Sequence, residues 1–364
     1  GKVIVCGKSS SVERKYILQE CNAYAVIMGE VEKTLDTIIL TLLENKDSNL
    51  YNIKGLSYSK SGVCIDNMYR EAINNLDELP FSEYEYLANG KNNYPVCVME
   101  TSRGCHGRCN FCEGYLFRNL NPGKEYRAKS ADRVIEEIQY VIKKFNYRIF
   151  AFSDDNFFVD GSDEAKNRVL DFAKKIIDKK IKIRFTIECR ADDIQAEILK
   201  DLKKAGLCKI FIGFESGSQS VLDRYNKGTT VEDNYRALDL LKQYKVRCQP
   251  GYILFDPYTT VKELKETVSF FDKNIDDLFS FSIGNDERCL FFPYGCQALK
   301  TFWPNETEEF YKNICYNGIQ YKFIHDDVEH IYNKFIINLK SQVKSDSSKN
   351  LLQKRINCLK EALK

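Results

Sequence analysis

Short apolar segments alternate with amphipathic helical segments over most of the chain, and this alternation limits the fold more than any other sequence feature. In the longest stretch the predicted strands are Val96–Glu100, Arg148–Ser153, Lys182–Glu188, Lys209–Phe214, Arg247–Leu254 and Leu278–Ile283. The predicted helices between them are Ala131–Phe145, Asp163–Lys179, Ala196–Ala205, Val231–Tyr244 and Val261–Phe271. Strands that alternate with helices indicate an α/β fold with a parallel sheet. We therefore predict a partial (βα)6 barrel over residues 95–304.

Three further regions surround this predicted barrel. Residues 1–80 contain predicted strands, a helix and a hairpin, at Val3–Cys6, Ala23–Met28, Val31–Leu43 and Gly55–Asn67. This order predicts a parallel α/β piece. Residues 81–94 are polar and irregular and are expected to form a linker, and residues 305–364 are expected to form a helical C-terminal extension.

The composition excludes several classes of protein. The 364 residues contain 54 Lys and Arg against 52 Asp and Glu, so the charge balance predicts neither a nucleic-acid partner nor a membrane partner. No apolar run approaches the ~20 residues that a membrane-spanning helix needs. The 14 cysteines are mostly scattered along a long chain, which favours reduced thiols and a cytoplasmic location over a secreted disulfide scaffold.

The strongest chemical signal is a CxxxCxxC motif directly after the first predicted barrel strand. Its cysteines are Cys105, Cys109 and Cys112. Soft thiolates favour zinc or an iron–sulfur cluster. A structural zinc ion would need a fourth ligand, and the nearest histidine, His106, lies too close in sequence to complete a tetrahedron easily. The alternatives are a [4Fe–4S] cluster with one open iron, a zinc site, or three ordinary cysteines.

This loop resembles the signature of the radical S-adenosylmethionine (radical SAM) enzymes, CxxxCxΦC, in which Φ is aromatic and is matched by Phe111. The resemblance implies that Cys105, Cys109 and Cys112 ligate a [4Fe–4S] cluster whose open iron binds SAM. It also implies that one electron cleaves SAM to methionine and a 5′-deoxyadenosyl radical, which abstracts hydrogen from a substrate.

Polar residues follow the predicted strands where the resemblance expects contacts with SAM. The candidates are Ser153, Asp154 and Asp155 for the amino group, Glu188 and Arg190 for the methionine carboxylate, Glu215 and Ser216 near the ribose, and Tyr252 and Ile253 beside the adenine. Each group also has an ordinary structural explanation: a helix cap, a surface ion pair, a strand-to-helix turn, or packing. Cys289 and Cys296, in and near the loop after the sixth strand, are candidate hydrogen-atom donors to a substrate radical, or plain buried cysteines.

Residues 1–80 resemble the back half of the cobalamin-binding domain that precedes the radical SAM core in one subgroup. The DxHxxG motif of that domain is absent, because the chain contains only His106, His325 and His330. The front strands of the domain are absent as well, so the resemblance implies a truncated Rossmann-like piece, either a trimmed copy or a remnant. The resemblance leaves cobalamin as a third cofactor, and a half-Rossmann fold without the usual crevice argues against it.

We therefore expect a radical SAM enzyme that uses a [4Fe–4S] cluster and SAM. Its substrate is expected to be a small molecule or a peptide, and its electron donor a flavodoxin or a ferredoxin. The reaction outcomes left open are epimerisation, rearrangement, dehydrogenation and cross-linking. The alternatives are a cobalamin-dependent methyltransferase and, from another class, a non-catalytic module with a structural metal.

Overall fold

The computed structural model of the chain describes residues 1–44, 46–88, 96–158, 162–274, 276, 278, 289–290, 319–320, 323–343 and 351–364. Contacts between residues divide the chain into two units. The first unit contains Gly1–Leu76 and Gly104–Arg127. The second contains Asp77–Arg103 and the described residues of Ala128–Leu290 and Gln320–Lys364.

The first unit is built on a four-stranded sheet with the order β1-β2-β3-β4. Its strands are Ile4–Val5 (β1), Ala25–Ile27 (β2), Leu56–Lys60 (β3) and Val63–Asp66 (β4). Its helices are Lys8–Val12 (α1), Arg14–Gln19 (α2), Glu32–Leu43 (α3) and Glu113–Asn119 (α4). Strands β1 and β2 are parallel, and the predicted hairpin is present as the antiparallel pair β3–β4. Both residues of its turn, Ser61 and Gly62, have positive φ, as a type I′ turn requires.

The other elements follow along the chain. The strands are Cys97–Met99 (β5), Ser102–Arg103 (β6), Arg127–Ala128 (β7), Ile149–Phe152 (β8), Arg184–Arg190 (β9), Leu207–Glu215 (β10), Arg247–Tyr252 (β11), Cys289–Leu290 (β12) and Ile319–Gln320 (β13). The helices are Ala131–Phe145 (α5), Asp163–Asp178 (α6), Ala196–Ala205 (α7), Gln219–Arg224 (α8), Val231–Gln243 (α9), Val261–Lys273 (α10), Asp326–Val343 (α11) and Leu351–Ala362 (α12). Short 3-10 helices lie at Asp47–Asn52, Leu76–Glu78 and Glu85–Leu87.

The second unit confirms the predicted α/β class. Strands β5, β8, β9, β10 and β11 form a five-stranded parallel sheet in which sequence neighbours are spatial neighbours. This order is that of consecutive βα units in a partial barrel. Of the predicted sixth strand, Leu278 forms a parallel bridge with Cys248, and residues 279–283 lie outside the described part of the chain. Helices α11 and α12 belong to the predicted helical extension.

The parallel sheet has two chemically different faces. On the buried face, Phe185, Ile187, Ile210, Ile212 and Cys248 have at most 1% of their surface exposed. On the other face, which we call the open face, the side chains of Thr186, Glu188, Lys209, Phe211 and Gln249 are half-buried or exposed. Because successive side chains of a strand point to opposite faces, this alternation places one polar set on one side of the sheet.

No helix among the described residues is long and apolar enough to cross a membrane.

Gly206 ends helix α7 at a position where only glycine fits. Its φ is +116°, and a Cβ atom there would lie 2.2 Å from the carbonyl oxygen of Ile183. We predict that Gly206→Ala lowers the free energy of unfolding by about 3 kcal/mol, because a backbone clash adds to the left-handed penalty. The matched control is Gly228→Ala, which also has positive φ but has its nearest neighbour at 3.8 Å. Urea unfolding of both variants measures the difference, and equal losses would contradict the clash.

Candidate active site

Polar residues follow four strands of the parallel sheet at their carboxyl ends, where parallel α/β folds bind ligands. All the candidates for SAM contacts lie at or beside this edge, namely Ser153, Asp154, Asp155, Glu188, Arg190, Glu215, Ser216, Tyr252 and Ile253. The structure gives these residues different surroundings, and their roles toward SAM stay predictions.

Asp154 is the most enclosed of these candidates. Its residue is 1% exposed, and its carboxylate accepts hydrogen bonds from the backbone N–H groups of Thr101 and Ser102, each at 2.7 Å, and from Thr101 Oγ1 at 2.5 Å. Burial raises the pKa of Asp154, and these donors together with the nearby charge of Arg168 act in the opposite direction. The carboxylate therefore fixes the backbone where the chain leaves β5 toward the cysteine motif.

Arg168, which the sequence analysis did not single out, holds the same backbone from helix α6. Its guanidinium donates to the carbonyl oxygens of Lys129 and Thr101, at 2.8 and 3.0 Å, and to Thr101 Oγ1 at 2.9 Å. No pattern in the sequence marks this arginine, because it lies within a helix whose other charged residues are mainly solvent-facing.

The neighbours of Asp154 are placed differently. Ser153 and Asp155 are exposed, whereas Asn156 is fully buried and donates to a carboxylate oxygen of Asp193 at 2.5 Å. Of the three predicted amino-group partners, Ser153 and Asp155 are therefore the accessible ones.

Arg190 ends β9 and is buried by its own neighbours. Its Nε and Nη2 donate to the two carboxylate oxygens of Asp192, at 3.0 and 2.9 Å, and Nη2 also donates to the carbonyl oxygen of Lys227 at 2.7 Å. Such a bidentate geometry is strong and directional. A ligand carboxylate at Arg190 would share the guanidinium with Asp192. Cys189, the preceding residue of β9, points to the buried face of the sheet. Burial raises the pKa of its thiol well above the usual value.

A buried ion pair lies at the end of β10. Glu215 has a φ of +60°, and its Oε1 lies 2.9 Å from Nζ of Lys227. A non-glycine residue in this conformation is uncommon and is typical of functional or strained positions. The sequence analysis identified Glu215 but missed Lys227, which lies in a loop without periodicity.

Two glycines form the floor beneath this pair. Gly213 and Gly251 are register partners on β10 and β11. A Cβ atom at Gly213 would lie 2.5 Å from Oε1 of Glu215, and one at Gly251 would lie 2.8 Å from the ring of Phe211. Both positions therefore keep space for side chains above the sheet, which explains why the strand ends carry glycine.

The remaining candidates at this edge already have partners. Ser216 is 1% exposed, and its hydroxyl lies 2.7 Å from that of Thr267. The hydroxyl of Tyr252 accepts a hydrogen bond from Arg355 at 2.8 Å. The backbone N–H of Ile253 donates to the carbonyl oxygen of Glu215 at 2.8 Å, which joins the two strand ends.

The cysteine motif belongs to the first unit and begins with a close backbone approach. Gly104 has a φ of +84°, and a Cβ atom there would lie 1.9 Å from the carbonyl oxygen of Glu125. Arg118 donates to the carbonyl oxygen of Cys105 and to the carboxylate of Glu125, at 3.0 and 3.1 Å. These contacts join both ends of the segment from Gly104 to Glu125.

The three predicted cluster ligands differ in exposure. Cys109 is buried, Cys105 is half-buried and Cys112 is exposed at the N-cap of helix α4. The Gly107 N–H donates to Cys105 Sγ at 3.4 Å, as a loop amide would donate to a thiolate ligand. Within the described ranges, no group of three or more Cys, His, Asp or Glu residues is placed to hold a metal ion. Three soft thiols on one short loop still suit an iron–sulfur cluster in their donor chemistry. The ligand set stays a prediction, as does the role of the half-buried Phe111.

The side chains of the two candidate hydrogen donors lie outside the described part of the structure. Cys289 lies in the short strand β12, and its side chain is outside the described part of the structure. Cys296 lies outside the described residues altogether.

Part of the chain matches the model of a known protein family. Residues 99–271 match the Radical SAM superfamily. An uncharacterized methyltransferase of Pyrococcus horikoshii is 29% identical over 285 residues, which are 77% of this chain and 60% of that protein. The 4'-phospho-dehydrooxetanocin synthase of Priestia megaterium is 29% identical over 264 residues, which are 67% of this chain and 34% of that protein. The chain thus spans 60% or less of the length of these relatives.

Solved structures show the same fold. The cobalamin-dependent S-adenosylmethionine radical enzyme OxsB, with aqua-cobalamin and S-adenosylmethionine bound, aligns with a TM-score of 0.70 and 20% identity over 98% of this chain and 57% of its own. The radical S-adenosylmethionine methyltransferase TsrM from Kitasatospora setae aligns with a TM-score of 0.66 and 17% identity over 82% of this chain and 57% of its own. Residues 99–271 therefore form a domain of the Radical SAM superfamily, whose members are enzymes that use a [4Fe–4S] cluster and SAM.

Proposed function

We propose that this enzyme cleaves SAM reductively to methionine and a 5′-deoxyadenosyl radical, which abstracts hydrogen from a small-molecule or peptide substrate. The observation that carries the proposal is the position of the CxxxCxxC motif. It follows the first strand of the matched domain, and the other strands of the same sheet end in polar side chains at one edge.

The cluster would be held by Cys105, Cys109 and Cys112. When bound, a [4Fe–4S] cluster supplies the electron that cleaves SAM, and a flavodoxin or a ferredoxin is the proposed source of that electron. The protein itself would fix the conformation of the loop. Gly104 allows the close backbone approach at which the loop begins, and Arg118 donates a hydrogen bond to the carbonyl oxygen of Cys105. Asp154 holds Thr101 and Ser102, which lie three and two residues before Gly104.

SAM would lie along the carboxyl edge of the sheet. Ser153 and Asp155 are exposed there and suit its amino group, since an ammonium pairs well with a carboxylate. The guanidinium of Arg190 suits its carboxylate, in competition with Asp192. The ribose would lie beside Glu215 and the adenine beside Tyr252, at the carboxyl ends of β10 and β11.

A second candidate function is cobalamin-dependent methyl transfer. Cobalamin is present in the OxsB structure that aligns with 98% of this chain, and one relative carries the name of a methyltransferase. The hopanoid C-3 methylase of Methylococcus capsulatus is also similar, at 25% identity over 41% of this chain. The sequence contains no histidine before His106, so residues 1–80 offer no imidazole ligand for cobalt.

Reconstitution and replacement of the motif cysteines test the cluster. Anaerobic reconstitution should give a brown protein with about four irons, which forms 5′-deoxyadenosine from SAM and a reductant. Replacing Cys105, Cys109 or Cys112 by Ala should remove the iron and reduce this activity by at least ~1000-fold, because an open iron needs three protein ligands. Cys208→Ala, which changes a half-buried thiol of β10, is the matched control. A colourless protein with one zinc ion would show a structural-metal module instead.

Isotope labelling separates the two candidate reactions. Deuterated candidate substrates should transfer deuterium to 5′-deoxyadenosine without added cobalamin, as detected by mass spectrometry. A product that carries the labelled methyl group of SAM, formed only with cobalamin present and without deuterium in 5′-deoxyadenosine, would favour methyl transfer and contradict the leading proposal.

Replacement of Asp154 tests its role in holding the end of β5. Asp154→Asn should lower the free energy of unfolding by about 2 kcal/mol, because a buried amide offers one acceptor oxygen where the carboxylate offers two. Hydrogen exchange at the Thr101 and Ser102 amides should become faster, which mass spectrometry of that peptide measures. Asp155→Asn changes an exposed neighbour and should leave both quantities nearly unchanged. Equal effects of the two variants would refute the positioning role.

A further inference from the structure

The open face of the parallel sheet carries residues that a packed barrel interior would not. In closed (βα)8 barrels the inward positions are dominated by bulky aliphatic side chains, which fill the interior. In this sheet those positions include Thr186 on β9, Lys209 on β10 and Gln249 on β11, and all three are only half-buried. The face therefore lines a space rather than filling one.

Lys209 is the third residue of β10, and its side chain belongs to this face. The register places it opposite Thr186 on one side and Arg247 on the other. Its Nζ donates to Oε1 of Gln249 at 2.8 Å. Gln249 lies two residues closer to the carboxyl end of β11 than Arg247, so the ammonium group is directed toward the edge where SAM is proposed to bind. Gly251, on the glycine floor, is two residues further, or about 7 Å along the strand.

Among the described carboxylates, none forms an ion pair with Lys209, whose hydrogen-bond partner is a neutral amide. The acid on the same face of β9, Glu188, is the register partner of Phe211, two residues further along β10. Its cross-strand neighbour Arg247 carries the same charge, and like charges directly opposite each other destabilise a sheet. A half-buried ammonium keeps donors for further acceptors, since each lysine has three N–H groups and Gln249 takes one. An anionic ligand group would remove both costs.

We propose that Lys209 binds an anionic group of the substrate, a carboxylate or a phosphate, with Arg247, Gln249 and Thr186 as its neighbours. This inference rests on the proposed function, since it names the class of molecule that the same site accepts. The substrate is then an organic anion whose charged end lies on Lys209 and whose reacting carbon lies nearer the carboxyl edge of the sheet.

The test is a titration that needs no turnover. Reconstituted holoenzyme is titrated with inorganic phosphate and, separately, with citrate, and the melting temperature is followed at constant ionic strength. We expect a saturable rise with at least one anion. Lys209→Met should weaken the apparent affinity about tenfold, the size of effect expected from the loss of a charge-assisted hydrogen bond.

Two further variants make the result specific. Lys209→Arg keeps the charge and should stay within about threefold of the unchanged protein, which shows that the loss in Lys209→Met is not a folding defect. Lys200→Met removes an exposed lysine of helix α7 and should leave the titration unchanged. A response to phosphate alone identifies a phosphate group, and a response to citrate alone identifies a carboxylate.

The outcomes distinguish this inference from the proposed function. No saturable response, or the same response in Lys209→Met, overturns the anion subsite and leaves SAM cleavage untouched. If the reconstituted protein does not cleave SAM but shows the saturable anion response that Lys209→Met weakens, the proposed function is overturned and the anion subsite remains.

Discussion

The carboxylate of Asp154 lies in a site closed to solvent and receives two backbone amides and one hydroxyl from Thr101 and Ser102. An unpaired charge in such a place would be expensive, so the three donors and the nearby Arg168 are what permit it. Asp154, which follows β8, thereby holds the backbone that follows the neighbouring strand β5. Cys105, the first cysteine of the motif, lies three residues after Ser102, so this one buried group holds the backbone shortly before the motif begins.

The two faces of the parallel sheet have different roles: one face provides packing, and the other carries the polar and charged side chains. Aromatic and aliphatic residues such as Phe185 and Ile212 bury one face completely and supply the packing. The open face and the carboxyl edge instead carry Glu188, Lys209 and the Glu215–Lys227 ion pair. Buried charges and a left-handed glutamate cost stability, and proteins retain such features mainly where function requires them. The apolar packing of the buried face offsets this loss of stability.

Regular elements could be predicted from the sequence because their signals are local. Helix α7 was predicted as Ala196–Ala205 and has these bounds, since the apolar period ends at the Gly206 cap. The role of Asp154 could not be predicted, because its partners lie more than fifty positions away in sequence and depend on the pairing of β5 with β8. Lys209 was predicted to begin a strand, but its surroundings follow from the register of three strands. Arg190 was expected to be available to a ligand, and only the fold reveals that Asp192 already engages it.

The central claim is that three thiolates of one loop hold a cluster with an open iron to which SAM binds. Electron–nuclear double resonance of the reduced, reconstituted protein with SAM labelled with ¹⁵N at the amino group and ¹⁷O at the carboxylate tests it most directly. The account predicts hyperfine coupling of both labels to the cluster signal. A reduced cluster that shows no coupling to either label while SAM is bound would contradict it.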